Sequence, residues 1–267
     1  MKDGNNTVVV MVNNDRKPEY IPTVNTDWWN YGGITRDVQL VSRPQTFVSD
    51  TYIRLDAAGK NILVDVKVDG SYATGTATLS IPELKVSENF QINDANGSVS
   101  VKLPRKTQLW SPENPKLYET ILSFDDDVWN DKLGFRTIET KSTDILLNGK
   151  SVLLKGISIH EEAPLREGRA YHRDDARVLL TWAKELGCNF VRLAHYPHNE
   201  HMLRMADEMG LMVWSEVPVY WTIDFNSELV LGKAKAQLDE MILRDRNRSS
   251  IVIWSVANET PRSDARL

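Results

Sequence analysis

The sequence predicts a multidomain chain of β plus α/β class, on three observations. Residues 46–139 hold about seven short runs of strand character, separated by turn dipeptides such as Ala58-Gly59, Asp69-Gly70 and Asn96-Gly97. After Lys150 the pattern changes to short apolar runs that alternate with stretches whose apolar residues recur every three or four positions. Strands alternating with helices in this way imply a parallel sheet. The two patterns follow one another without mixing, so two architectures share the chain.

The totals bound the rest. At 267 residues, one large or two to three small domains fit. A formal charge of −5 with no dense basic patch argues against a nucleic-acid partner. No apolar run reaches the roughly 18 residues of a membrane span, which argues against a membrane one. The single cysteine, Cys188, excludes an internal disulfide and reads as a buried small side chain. Met1–Asn6 lacks the apolar centre of a secretion signal, and cellular location stays open. Eight Trp residues are many for this length; some must be core, and flat aromatic faces also suit sugars.

Taken in order, Thr7–Val12 is a β run ending at Asn13-Asn14-Asp15, and Pro18 and Pro22 hold an extended loop. Asp27–Gly33 follows, then Ile34–Val41, which alternates and reads as a strand. Strands are predicted at Phe47–Leu55, Asn61–Val68, Gly75–Ser80, Glu88–Ile92, Val99–Leu103, Leu117–Phe124 and Asp127–Phe135. Seven short strands over roughly 95 residues suit an immunoglobulin-like sandwich. With no cysteine pair, packing must hold it.

Leu147-Asn148-Gly149-Lys150 is a hairpin turn. Strands are then expected at Val152–Ile159, Asn189–Ala194, Leu211–Ser215 and Ile251–Ser255. Between them lie three helices. Arg173–Leu186 turns Ala176, Leu179, Leu180, Ala183 and Leu186 inward and stops at Gly187. Asn199–Met209 turns Met202, Met205, Ala206 and Met209 inward and stops at Gly210; this methionine stripe reads as core. Ser227–Arg246 carries Leu231, Ala234, Leu238, Met241 and Ile242 at helical spacing.

Every strand of this last unit delivers a polar group at the same edge: His160-Glu161-Glu162, then His195-Tyr196-Pro197, then Glu216, then Asn258-Glu259. The carboxyl edge of a parallel barrel is where catalytic groups sit. Solvated loops would carry Lys, Ser and Gly there instead.

Five stretches carry a resemblance. The fifteen residues Asp245–Glu259, ending in Asn258-Glu259, resemble the second signature of glycoside hydrolase family 2, the β-galactosidase and β-glucuronidase family. Asn189–Pro197, with Asp207 and Gly210–Trp214 downstream, resembles the family's first signature, Leu193 standing where a smaller residue is usual. Lys155–Glu161 resembles its first barrel strand. Trp110–Pro115 resembles a motif near the end of the family's second domain, and Asp27–Arg36 one near the end of its N-terminal sugar-binding jelly roll.

The resemblance implies three parts: the C-terminal part of a jelly roll over 1–45, an immunoglobulin-like sandwich over 46–139 that acts as a scaffold, and the N-terminal half of a TIM (β/α)8 barrel over 140–267. Four strands and about 120 residues are half of what a closed barrel needs, so a piece cut at both ends is expected. The implied activity is that of a retaining glycoside hydrolase acting on a terminal β-linked sugar. Glu259 is implied as the general acid and later base, Asn258 as the partner of the sugar 2-OH, and His195, His160 and Asp27 as contacts of other hydroxyls. The second carboxylate that a retaining mechanism requires would follow a later strand, so the chain alone is expected to be nearly inactive. A non-catalytic sugar-binding piece, and a half barrel pairing through its open edges as a homo-oligomer, are the alternatives.

No cofactor is expected, and no metal. His195-x-x-His198 contains Pro197, which breaks the helix that would align two imidazoles. The family's magnesium ligands after the third strand fall on Tyr220 and Thr222, which do not suit a hard cation. Which sugar is cleaved is not written in these motifs.

Overall fold

Alternation of apolar and polar residues builds the first sheet. The computed structural model describes residues 4–261 apart from Tyr72, so Met1–Asp3 of the Met1–Asn6 stretch lie outside the described residues. The strands are β1 (Thr46–Leu55), β2 (Asn61–Gly70), β3 (Gly75–Ile81), β4 (Val86–Asn93), β5 (Asn96–Lys102), β6 (Tyr118–Phe124) and β7 (Asp127–Leu133). They pair antiparallel in the order β1-β2-β5-β4-β3-β6-β7. All seven expected strands form, each within a few residues of its predicted ends. Along β2, Ile62, Val64, Val66 and Val68 face inward and the residues between them face outward. The first and last strands approach each other, so the sheet folds over a single core that includes Leu79, Ile81, Ile92, Leu122 and Phe135. Each such side chain contributes roughly 1.5–3 kcal/mol by burial.

A small antiparallel sheet follows: β8 (Ile138–Lys141), β9 (Asp144–Leu147) and β10 (Lys150–Ser151). Leu147 pairs with Lys150 across Asn148 and Gly149, both at positive φ, as a two-residue hairpin requires.

The second half is β11 (Gly156–Ile159), α1 (Arg173–Glu185), β12 (Phe190–Leu193), α2 (Glu200–Met209), β13 (Met212–Glu216), α3 (Glu228–Asp245) and β14 (Ile251–Ser255). Its strands pair in parallel in chain order. Ala176, Leu180 and Ala183 of α1 and Met202, Met205 and Ala206 of α2 pack against Val191, Leu193 and Val213. No helix among the described residues is long and apolar enough to cross a membrane.

Several expectations are corrected. Thr7–Val12 and Ile34–Val41 form no strand; Val9 and Met11 are about nine-tenths exposed, and an extended segment without a neighbour has nothing to pair with. The strand expected at Val152–Ile159 begins only at Gly156. Before it, Val152 N–H bonds Ile145 O, while the Asn189 amide bonds Leu153 O and Lys155 N–H. Leu186 is the exposed C-cap of α1 rather than part of its inner face, and Cys188 is half-buried. On α3, Val230 and Met241 are buried, whereas Leu231, Ala234 and Leu238 are only half covered.

The charged run before β14 closes α3 and is also the joint between the two halves. Arg246 pairs with Asp50 of β1. Asn247 accepts from Ile53 N–H at 2.9 Å and donates to Thr51 O at 3.0 Å, taking up free groups on the outer edge of β1. Arg248 pairs with Asp131 of β7 and, at 3.3 Å, with Asp207 of α2. Trp110, fully buried, donates from its indole to Asp207 O at 2.8 Å. Two glycines are required at this joint. Gly210, at φ +71°, would place a Cβ 2.5 Å from Pro112 O, and Gly134 would place one 2.6 Å from Ser249 Oγ.

Candidate active site

Arg192 is a cation inside a short apolar strand, and it meets an anion at the end of the next one. Register sets Arg192 beside Trp214, two residues before Glu216, on the inner face of the sheet. Arg192 donates to both oxygens of Glu216, at 3.0 Å and 2.8 Å from Nη2 and 3.1 Å from Nε. Glu216 is fully buried, so this charge-assisted pair neutralises what burial would otherwise penalise. Nη2 also donates to Asn258 Oδ1 at 2.6 Å. Because a guanidinium only donates, this fixes the amide's orientation and turns its Nδ2 donors away from Arg192.

His195 lies just past β12, with Nδ1 2.5 Å from Glu216 Oε1. A carboxylate only accepts, so Nδ1 carries a hydrogen toward Glu216, and in the neutral ring Nε2 is then the acceptor. The His160 ring, past β11, stands 5.2 Å from that of His195. Its Nδ1 is buried without a partner among the described residues. Burial, reinforced by neighbouring His195, holds His160 below the usual histidine range, so it is neutral at pH 7.

Past β14, Asn258 N–H bonds Val219 O at 2.8 Å, and Asn258 O accepts from Trp221 N–H at 3.1 Å. These bonds extend the parallel pairing beyond the strand. Asn258 is thereby buried while Glu259, at φ 48°, is turned outward and exposed. One Glu259 oxygen accepts from Trp221 Nε1 at 2.8 Å.

The remaining wall comes from the N-terminal segment, which straps across the same edge. Ile21 is buried among Val217, Val219, Val230 and Met241. Lys233 and Gln237 of α3 donate to Glu19 O and Ile21 O at 2.8 Å and 2.7 Å. Arg36 pairs with buried Glu161 at 3.1 Å, and Tyr31 bonds Glu162. The strap thus brings Trp28 to within 4.9 Å of the Tyr220 ring, edge-on, and about 6 Å from both histidines. Asp27 accepts from the Tyr220 hydroxyl. Burial, and then this bond, raise the Tyr220 phenol above its usual pKa, so it remains a donor at neutral pH.

Asp27, His160 and His195 therefore converge, each offering a ligand atom within 4.8 Å of the others'. Arg192 joins Asn258 to the His195–Glu216 pair, and Trp221 receives Glu259. The second histidine of His195-x-x-His198 turns away, its Nε2 on Ala194 O at 2.9 Å. At the positions aligned with magnesium ligands, Tyr220 is buried under Trp28 and Thr222 is exposed. Sequence reasoning left out Arg192, Trp28, Tyr220 and Trp221. A signal existed only for Arg192, since a charge within an apolar parallel strand must find a counter-charge. The others depend on how the strap lies.

A family model described as "Glycosyl hydrolases family 2, TIM barrel domain" matches residues 138–266, and one described as "Glycosyl hydrolases family 2" matches residues 46–136. A β-galactosidase of Arthrobacter sp. is 31% identical over 97% of this chain and 26% of its own length. A β-galactosidase of Alteromonas mediterranea is 30% identical over 96% of this chain and 27% of its own. Among solved structures, apo β-glucuronidase 3 of Bacteroides uniformis superposes with a TM-score of 0.81 at 30% identity, covering 93% of this chain and 32% of that one. A Ruminococcus gnavus β-glucuronidase in complex with D-glucaro-d-lactam gives 0.79 at 28% identity, over 94% and 46%. This chain spans from 25% to 41% of the length of such curated relatives.

Proposed function

The chain belongs to glycoside hydrolase family 2, and on that premise we propose that it carries the acid/base side of a retaining β-glycosidase acting on a terminal β-linked sugar of galactoside or glucuronide type. The observation that carries this reading is the convergence of Asp27, His160, His195, Asn258 and Glu259 at one edge of a parallel sheet.

Cleavage of a glycoside passes through an oxocarbenium-like state. It needs an acid at the leaving oxygen and, with retention, a carboxylate about 5–5.5 Å away at the anomeric carbon. Glu259 is the acid in this reading, exposed toward a ligand and held through one oxygen by the Trp221 indole. Asn258 turns its amide donors toward the sugar 2-OH because Arg192 occupies its oxygen. His195 presents Nε2 to a hydroxyl, as an acceptor in the neutral ring, and Asp27 offers another acceptor. Glu216 cannot be the attacking carboxylate, because it is fully buried and bound by both Arg192 and His195. The nucleophile belongs to the part of the relatives that this chain does not span.

The test is hydrolysis of a panel of 4-nitrophenyl β-glycosides by the purified chain, alone and mixed with the separately expressed second barrel half of a relative. Negligible turnover alone, and turnover on mixing that Glu259→Gln removes, is the expected result. Turnover insensitive to Glu259→Gln would sink the assignment.

A second reading has its own observation. Gly156, Ile157 and Ser158 of β11 are exposed, and at the other edge Val217, Val219, Leu238 and Val256 line an apolar groove. Two chains joined β14 to β11 and β11 to β14 would complete eight parallel strands. Sedimentation velocity decides: a dimer supports this pairing, and a monomer across the accessible concentration range removes it.

A further inference from the structure

We propose that a cavity at the joint, between β1 and the run that enters β14, binds one tetrahedral oxyanion, a sulfate or phosphate carried free or as a monoester. The cavity measures about 360 Å3 and is lined by Arg54, Arg136, Arg246 and Arg248, whereas no Asp or Glu among the described residues lines it. Three separate parts of the chain bring these cations together: β1, the link from β7 to β8, and the turn after α3. Gathering like charges costs free energy, and an anion among them relieves that cost. The wall includes Ser249 and Ile251 at the start of β14, whereas Asn258 and Glu259 lie beyond that strand's other end. None of the residues assigned above to the sugar lines it.

Tyr52 is the common floor. Arg54 and Arg246 sit over its ring, with guanidinium carbons 4.2 Å and 4.8 Å from the ring centre. Tyr52 is also close enough to Arg136 to act on its charge. Arg136 forms no ion pair among the described residues. Its Nε donates to Ser249 O at 3.0 Å and its Nη2 to Ile251 O, which leaves Nη1 without a partner among them. Arg246 bonds Asp50 through Nη2, and its Nε is buried without a partner. Arg54 pairs with Asp65 at 2.6 Å, but these side chains are 35% and 52% exposed, so water competes for the pair and an anion can replace the carboxylate. Arg248 is held by Asp131 and Asp207 and contributes charge rather than free donors. Guanidinium forks match the oxygens of sulfate and phosphate, to which they donate two parallel bonds. Ile242, Val252 and Trp254 make the rest of the wall apolar, which suits the carbon part of a monoester. The bound anion would tie β1 to the segment that enters β14 and so strengthen the joint itself.

Binding is read without turnover, so the site stands or falls independently of the hydrolase reading. The experiment is isothermal titration calorimetry of the purified chain, in chloride buffer of fixed ionic strength. The probes are inorganic sulfate, inorganic phosphate, phenyl sulfate and phenyl phosphate. One saturable site per chain is expected. Tighter binding of a phenyl ester than of its inorganic ion assigns the site to a monoester, and the reverse assigns it to the free ion. Arg54→Gln and Arg136→Gln should each weaken the site about tenfold, the loss of one charge-assisted hydrogen bond. Arg166→Gln should leave it unchanged, because Arg166 pairs with Asp175 in the loop region after β11. Saturating anion should also raise the midpoint of thermal unfolding of the parent, and raise that of Arg54→Gln less at the same concentration. The proposal is overturned if none of the four probes binds saturably, or if Arg54→Gln binds as tightly as the parent. Circular dichroism accompanies each variant. Should Arg136→Gln unfold, partly exposed Arg54 decides the matter, because its replacement removes a donor and a charge without touching the core.

Discussion

Glu216 is fully buried and Arg192 largely so, and the charge of each is tolerable there chiefly because of the other. Withdrawing either charge from water costs several kcal/mol. The doubled hydrogen bonds between them, with Asn258 and His195 as further partners, offset that cost and hold four side chains in one geometry. His198 solves the problem differently, by giving up its charge. It is buried, its Nε2 bonds Ala194 O, and burial pulls its pKa down to about 4. The unfolded chain, with a histidine pKa near ~6.5, takes up a proton between about pH 6.5 and pH 4 that the native state refuses. This contribution is therefore fully present above that window and lost as pH falls through it. Asp207 acts in the opposite sense: burial raises it to about 6 despite Arg248, so the native state binds its proton more tightly and gains stability as pH falls through that value. The separable prediction concerns His198→Gln, which keeps a donor for Ala194 O and cannot titrate. Its stability relative to the parent should improve by about 2 kcal/mol between pH 7 and pH 5 in urea unfolding. Parallel curves for the two proteins would refute the role given to His198.

At the scale of elements, what could be read in the sequence was what each segment decides by itself. The β1–β7 strands announced themselves because alternation decides which face is buried, and Ala58-Gly59 ends β1 cleanly. Asn96-Gly97, expected as a turn, instead opens β5 and pairs with β4, and the turn falls on Asp94-Ala95, both at positive φ. The α2 helix was equally legible, with Asn199 capping one end and Gly210 the other. Val8–Val12 shows the opposite case, since β-branched residues favour a strand yet none forms without a partner. The site divides in the same way. His160, His195, Asn258 and Glu259 were visible because each lies within a few residues of the end of an apolar strand. Trp28, Tyr220 and Trp221 were not, because they are set by where the strap and the loop after β13 lie. Asp245–Ser250 was visible as a signature but not as a joint. Its partners, Asp50, Thr51, Ile53 and Asp131, are more than 110 positions away in the chain.

That joint decides how the whole molecule should unfold. The seven-stranded sheet encloses a complete core, whereas the parallel sheet has one hydrogen-bonded neighbour at each of β11 and β14 and exposes much of β11. Left to itself, the parallel half would be the weaker body. It is pinned to the stronger one by Arg248 between Asp131 and Asp207, by Asn247 on the edge of β1, and by buried Trp110. With the pin intact, neither body can open without leaving buried polar groups unpaired in the other, so the parent should melt in a single calorimetric transition. Arg248→Ala removes the ion-pair partner of fully buried Asp207 and leaves Asp131 with Arg204 alone, a loss of about 3–5 kcal/mol. The predicted result is two transitions: an early one in which the parallel half opens, and a later one close to the parent's for the seven-stranded sheet. The order is checked by amide hydrogen exchange on the heated variant, in which β11–β14 should lose protection in the first event and β1–β7 only in the second. A parent that already melts in two steps, or a variant that melts in one at the parent's temperature, would mean that this segment does not couple the halves.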